Sequence, residues 1–230
     1  MHSSDCNELW SGVEEMKVIE QSHQILTPIL QEAIYGLIEC AGRTAYKSED
    51  KITIDSAVPF IAKIIKLGHE AVLEHASFSV RFITDRGVTH ELVRHRLCAY
   101  TQESTRYCNY GGKDMLFIKP VFWEWQENKN KEVISIDAKA LVWQYNMWTL
   151  EVAYNKLIKM GATPQEARSV LPNSLKTEIV CTANIREWRH IMRLRTAKSA
   201  HPQMRALMIP LLKELREKLP ALFNDVGVVE

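Results

Sequence analysis

The chain has 230 residues, 46% of them hydrophobic and 25% charged, which suits one large globular domain or two small ones with an ample core. Its net charge of +1 lacks the broad basic surplus of a nonspecific nucleic-acid binder, so clusters of arginine are local features. Five scattered cysteines (Cys6, Cys40, Cys98, Cys108, Cys181) without Cys-x-x-Cys spacing argue against a disulfide framework or zinc knuckle and for a reducing compartment. No apolar run approaches the roughly 20 residues of a membrane span, and the polar, acidic start has no signal-peptide core. The expected location is cytoplasmic, with no membrane partner.

Residues 1–14 read as a mobile lead-in and 16–21 as a short strand. Residues 29–41 place Leu30, Ile34, Leu37, Ile38 and Ala41 at helical spacing, with Thr27 as the expected N-cap and Pro28 at the first helical position. Ser56 is the expected cap of a second helix, which carries Ile61, Ile64, Ile65 and Leu67 and ends at Gly68. Phe78, Val80 and Phe82 alternate in a strand over 76–83. A helix is expected from Arg86-Gly87 to about Arg96, then a strand over 115–119 stopped by Pro120.

The charged, Asn-rich stretch 124–132 reads as a surface loop. A long helix follows over 137–160, closed by Gly161. Thr163-Pro164-Gln165-Glu166 is a capping box for a helix ending by Pro172. A strand is expected over 176–181. Asn184, with Glu187 three residues on, caps a helix bearing Trp188, Ile191, Met192 and Leu194; a last helix covers 202–219. Few strands, without a β-α-β rhythm, give an α+β reading: a helix-rich single domain over 1–230 around a mostly antiparallel sheet. There is no Gly-x-Gly-x-x-Gly and no P-loop, so no Rossmann fingerprint.

Three groups of residues carry possible chemistry. Arg94-His95-Arg96 is followed, after seven residues, by Ser104-Thr105-Arg106. Guanidinium forks suit phosphate, carboxylate and carbonyl oxygens. Arg-His-Arg alone is explained equally well by a solvated basic helix end. Upstream, Arg86, His90 and Arg94 would share a helix face, with Glu91 near Arg94 and His95; intrahelical pairing accounts for this as well as anion binding does.

The second group is Gly68-His69-Glu70-Ala71-Val72-Leu73-Glu74-His75, which lacks the His-Glu-x-x-His of zinc hydrolases, so no metal site is expected. Hydrogen-bonded structural histidines explain His69 and His75 on sequence alone. In the third, Arg186, His190 and Arg193 share a face and Arg195 lies on another, a pattern that surface helices also carry. Cys98, Cys108 and Cys181 have no adjacent base, so no cysteine nucleophile is expected.

The pattern Arg-His-Arg, seven residues, Ser, one residue, Arg resembles the signature of the flavin-dependent thymidylate synthases. Five fixed residues at roughly one in twenty each give a chance match on the order of one in ten thousand chains. The Gly-His and Glu-His segment, the Asn-x-Arg with a second Arg nine residues later, and Arg168 before Val170-Leu171-Pro172 are similar to the same family. The resemblance spans about residues 43–205. It departs at Ala71, where many members carry Ser or Thr, at Ala99, where Ser is common, and at Thr101-Gln102, where some members have Asn-Glu.

The resemblance implies reductive methylation of dUMP to dTMP. Methylenetetrahydrofolate is the carbon donor, reduced FAD the hydride donor and NADPH the reductant, in a homotetramer with shared sites. It implies cofactor contacts from His69, Ala71, Glu74, Arg94, His95, Arg96, Gln102, Asn184, Arg186, His190 and His201. Substrate contacts are implied for Arg86, Glu91, Arg94, Gln102, Glu103, Ser104, Thr105, Arg106, Arg168 and Arg195. Arg195 is the expected catalytic group, against the uracil ring. The alternatives are an arginine-rich nucleic-acid-binding protein, which predicts steep salt dependence and no chromophore, and another flavoenzyme on the same scaffold.

Overall fold

Local capping chemistry explains several element boundaries, and departures from it mark where tertiary contacts take over. The computed structural model describes residues 16–127, 133–135 and 137–227. The expected lead-in and residues 128–132 of the expected loop lie outside them. Strand β1 (Lys17–Ile19) is followed almost at once by β2 (Ser22–Ile25). Helix α1 (Gln31–Tyr46) starts later than expected and ends at Lys47, whose φ is 47°. Thr27 does not cap it: its Oγ1 accepts the Ser79 N–H at 3.0 Å, a sheet contact that outweighs the local cap.

Helix α2 (Ala57–Lys66) follows Ser56, yet this hydroxyl also leaves its own helix uncapped. It accepts the Thr53 N–H and donates to buried Glu39, each at 2.8 Å. Gly42 lets α1 and α2 approach closely, because a Cβ there would sit 2.5 Å from the Phe60 ring. Strand β3 (Ser77–Asp85) buries Phe78, Val80, Phe82 and Thr84 in strict alternation.

Helix α3 (Arg86–Leu92) stops well short of Arg96. Arg94 therefore does not share a helix face with Arg86 and His90. Arg94-His95-Arg96 forms a turn, stabilised by a hydrogen bond from the Tyr100 hydroxyl to the His95 carbonyl at 3.0 Å. Next come β4 (Ala99–Gln102), β5 (Leu116–Ile118), β6 (Trp125–Glu127) and β7 (Val133–Ser135). The β6 and β7 strands pair antiparallel, so part of the expected 124–132 loop is strand.

Asp137 caps the long helix α4 (Ala138–Lys159), accepting the Lys139 N–H at 2.7 Å, and Gly161 at φ +93° follows it. Helix α5 (Pro164–Ala167) carries the expected capping box and continues as a short 3-10 turn to Val170. After β8 (Lys176–Asn184), Asn184 Oδ1 accepts the Glu187 N–H at 2.9 Å and opens α6 (Ile185–Thr196). Helices α7 (Pro202–Lys218) and α8 (Pro220–Phe223) complete the described chain.

The architecture is α+β, about 51% helical among the described residues, with a four-stranded antiparallel sheet in the order β2-β3-β8-β4. A separate pair, β1-β5, is parallel, beside the mostly antiparallel strands expected. The described residues form two compact units. One holds the residues up to Ser22, Ile83–Leu92 and Gln102–Ile179; the other holds His23–Phe82, Val93–Thr101 and the residues from Val180. The first unit's core gathers Met16, Val18, Met115, Phe117, Met147, Tyr154, Ala167 and Leu175. In the second, fully buried Trp188 stacks on Phe78 at 5.0 Å and donates its indole N–H to the Phe78 carbonyl at 3.1 Å. That bond satisfies the ring's one polar group inside the core.

Candidate active site

In the first unit, a cavity of about 450 Å³ is lined by Arg86, Thr105, Gln165, Arg168, Ser169 and Leu171. Arg86 opens α3; its Nη2 donates to the Glu103 carbonyl at 3.0 Å, while its buried Nε has no partner among the described residues. An unpaired donor on a cation beside a second arginine suits an anionic guest. Arg168 is exposed just past α5. Gln165 and Ser169 were not expected at this site; the capping-box pattern accounts for Gln165 without assigning it a contact.

Other expected substrate residues in this unit face different tasks. Glu103 accepts the Tyr110 hydroxyl at 2.7 Å, the Lys176 ammonium at 3.2 Å and the Glu178 N–H at 3.2 Å. Burial, and then the Glu103 carboxylate, push the Tyr110 hydroxyl pKa upward. Burial opposes the Lys176 charge, but Glu178 and Glu103 hold its pKa above the usual value. Gln102 donates from Nε2 to the buried hydroxyls of Thr89 and Thr177, at 3.0 and 3.3 Å, so its amide nitrogen serves the interior. Ser104 Oγ accepts the Arg106 N–H at 3.3 Å, and exposed Arg106 lies over the Tyr107 ring at 5.4 Å. Glu91 sits half-buried on α3.

In the second unit, Arg195 Nε donates to His95 Nε2 at 2.9 Å. His95 is buried, with Nδ1 3.4 Å from Glu187 Oε1 and the ring edge-on to His190 at 5.8 Å between centroids. Burial, then the Arg195 and His190 charges, lower the His95 pKa to about 4, so the ring is neutral at pH 7. Burial raises the Glu187 pKa, opposed by His190 and Arg186. Ligand atoms of His95, Glu187 and His190 lie within 4.8 Å of one another, but the adjacent Arg195 charge opposes a metal cation there.

Arg94 and Arg96 are exposed on the turn and make no ion pair among the described residues. Exposed Arg186 and Glu74, both expected at the cofactor, instead pair with each other at 2.5 Å. Asn184 spends its carboxamide oxygen on the α6 cap. His201 caps α7, with Nδ1 accepting the Gln203 N–H at 3.3 Å. His69 and Ala71 are exposed at the start of a 3-10 turn over Glu70–His75. Arg189, a phosphate contact only under the nucleic-acid alternative, is buried against Asp225 at 2.7 Å and Glu70 at 3.3 Å.

Interaction with the Cys181 thiol lowers the Cys98 pKa, against burial; interaction with Cys98, and then burial, raises that of Cys181.

An arginine-lined cavity and exposed guanidiniums on an α+β chain define a class suited to anionic ligands. The family model of the thymidylate synthase complementing protein matches residues 32–221. Flavin-dependent thymidylate synthases from Geobacter sulfurreducens and Corynebacterium efficiens are 32% and 33% identical, over 83% and 84% of this chain and 81% and 80% of theirs. That from Mycobacterium tuberculosis is 36% identical over 84% of this chain and 80% of its own. The crystal structure of a UMP/dUMP methylase from Streptomyces cacaoi bound with 5-Br dUMP matches in fold. Its TM-score is 0.73 at 20% identity, covering 91% of this chain and 96% of that one. The chain belongs to the thymidylate synthase complementing protein family.

Proposed function

We propose that this chain is a flavin-dependent thymidylate synthase that converts dUMP to dTMP, with methylenetetrahydrofolate supplying the carbon and NADPH the electrons. Family membership over residues 32–221 carries the reading. The arginine-lined cavity supports a nucleotide phosphate site, with Arg86, Thr105 and Arg168 as its donors. Arg106 and Ser104 belong to the same substrate set. The functional unit is one synthase domain over 1–230, cytoplasmic and homotetrameric, with sites shared between subunits.

The second unit's donors fit FAD. Arg94 and Arg96 are exposed cations without intramolecular ion pairs among the described residues, suited to a pyrophosphate. The Asn184 amide and the His69, His190 and His201 rings are the polar groups assigned to the flavin ring, and Ala71 offers only backbone. Arg186 and Glu74 reach the cofactor as a pair or after separating. When bound and reduced, FAD supplies the hydride.

Arg195 is assigned to the uracil. C5 of that ring is a poor nucleophile until the ring carries negative charge, which a guanidinium at a ring carbonyl and N3 stabilises. Neutral His95 holds Arg195 without placing a second cation beside it. The nucleic-acid alternative uses Arg94, Arg96, Arg106, Arg186, Arg189, Arg193 and Arg195 on phosphates, and three of these, Arg186, Arg189 and Arg193, pair with Glu74, Glu70 and Asp225. The test is the spectrum and turnover of the purified protein. A flavin absorbance, and dTMP formed from dUMP, methylenetetrahydrofolate and NADPH, are expected. A colourless protein that makes no dTMP when given FAD would overturn the reading.

A further inference from the structure

We propose that Glu187 is a positioning residue for this reaction: through His95 it sets the direction in which Arg195 presents its guanidinium. The inference rests on the assignment of Arg195 to the uracil. Arginine has donors and no acceptor. The 2.9 Å contact from Arg195 Nε therefore requires a lone pair on His95 Nε2. A neutral imidazole with a bare Nε2 carries its proton on Nδ1. Nδ1 faces Glu187 Oε1 at 3.4 Å, and an ionised carboxylate only accepts. The Arg195–His95 hydrogen bond and the 3.4 Å approach of Nδ1 to Glu187 thus run in one direction, from Arg195 through His95 to Glu187.

Burial makes that direction matter. His95 and Glu187 are 6% and 7% exposed, so water does not readily replace either partner. Without the carboxylate, an Nδ1–H would be buried beside no acceptor, a cost of about 1–3 kcal/mol. The ring relieves that cost by moving its proton to Nε2. Two donors then face each other, and Arg195 must turn away.

The sequence position offers Glu187 a different task. As the fourth residue of Asn184-Ile185-Arg186-Glu187, its carboxylate suits a reciprocal capping box with the Asn184 N–H. Among the described residues only half of that box forms: Asn184 Oδ1 accepts the Glu187 N–H, and the Glu187 side chain turns to His95.

The experiment reads the His95 tautomer by long-range proton–nitrogen correlation spectra of 15N-histidine-labelled, full-length, FAD-loaded protein. It reads single-turnover dTMP formation at saturating dUMP alongside. In the parent, His95 is expected to carry its proton on Nδ1. Glu187→Gln keeps an accepting oxygen and should retain that tautomer and most of the rate. Glu187→Leu should shift the proton toward Nε2 and slow dTMP formation about 10- to 100-fold, by analogy with groups that orient metal-ligating histidines, with FAD retained. Glu187→Asp withdraws the carboxylate without changing its charge and should give an intermediate loss, which keeps the test decisive if Glu187→Leu does not fold.

An unchanged tautomer, or parent rates in Glu187→Leu and Glu187→Asp, overturns the proposal. Arg195→Ala is measured in parallel. If it is slow while the Glu187 variants are not, only the positioning role falls. If it matches the parent, the assignment of Arg195 falls and the positioning role with it.

Discussion

The two units use the same residue for opposite ends. In the first, Arg86 and Arg168 stand at a cavity, and Arg86 keeps a buried Nε without a partner among the described residues. In the second, α6 spends Arg186 on Glu74 and Arg189 on Asp225, while Arg193 shares Glu70. Arg195, from that same helix, instead meets a neutral acceptor. Spacing of arginines along a helix therefore says little about which of them meet a ligand. The partner, and how far it is desolvated, decides.

The largest expected effect breaks this contrast inside α6. Arg195→Ala should slow single-turnover dTMP formation by about 10²–10³ at saturating dUMP, as loss of one preorganised donor does, while NADPH still reduces the flavin. Arg195→Lys should not restore the parent rate, because it keeps the charge and loses the fork. A rate recovered by more dUMP would reduce Arg195 to a binding role.

Arg189→Met should leave the chemistry and strike the fold. Removing one partner of a buried ion pair costs about 3 kcal/mol here, the low end of its range, because Asp225 is half exposed. Urea unfolding at pH 7 checks it, and Arg168→Ala in the first unit should scarcely move the midpoint. Burial raises the Asp225 pKa, but Arg189 and Arg193 hold it below the usual range. Its contribution is therefore present above the unfolded carboxyl pKa and lost as pH falls through the lower folded value.

The cavity arginines and those of the Arg94–Arg96 turn are separated further by ligand. Arg168→Ala should weaken dUMP binding by about 1.5–3 kcal/mol, the worth of a charged hydrogen bond, with FAD affinity nearly unchanged. Arg96→Ala should do the reverse. Calorimetric titrations with each ligand check the pair, and equal losses in both would dissolve the distinction.

A smaller effect is expected with pH. The folded His95 pKa of about 4 lies below its ordinary 6.5, so the unfolded chain takes up the proton first as pH falls. His95 therefore contributes stability above pH 6.5 that is lost progressively toward pH 4. His95→Gln should flatten the curve of stability against pH across that window. The smallest change belongs to Cys98→Ser: although its thiol pKa is lowered, the rate of dTMP formation should stay close to the parent's. Loss of turnover in this folded, FAD-loaded variant, with a trapped dUMP adduct in the parent, would establish a nucleophile.

What the sequence determined by itself was short-range. The Thr163–Glu166 capping box, the Asn184 cap, the Gly161 stop and the alternation of Phe78, Val80 and Phe82 are contacts within a few residues, set by backbone geometry and burial periodicity. The α+β class and the family signature were legible for the same reason, as local patterns in order along the chain. Tertiary structure alone decided the rest. Thr27 and Ser56 gave up their helix caps to distant partners, and α3 ended early as His95 was buried against Arg195. Glu187 read as half of a cap, and only a histidine 92 residues earlier in the chain made it a candidate for the chemistry. Charges and hydrogen-bonding groups acquire their roles from the partners and desolvation that folding supplies, and neither is set by neighbours in sequence.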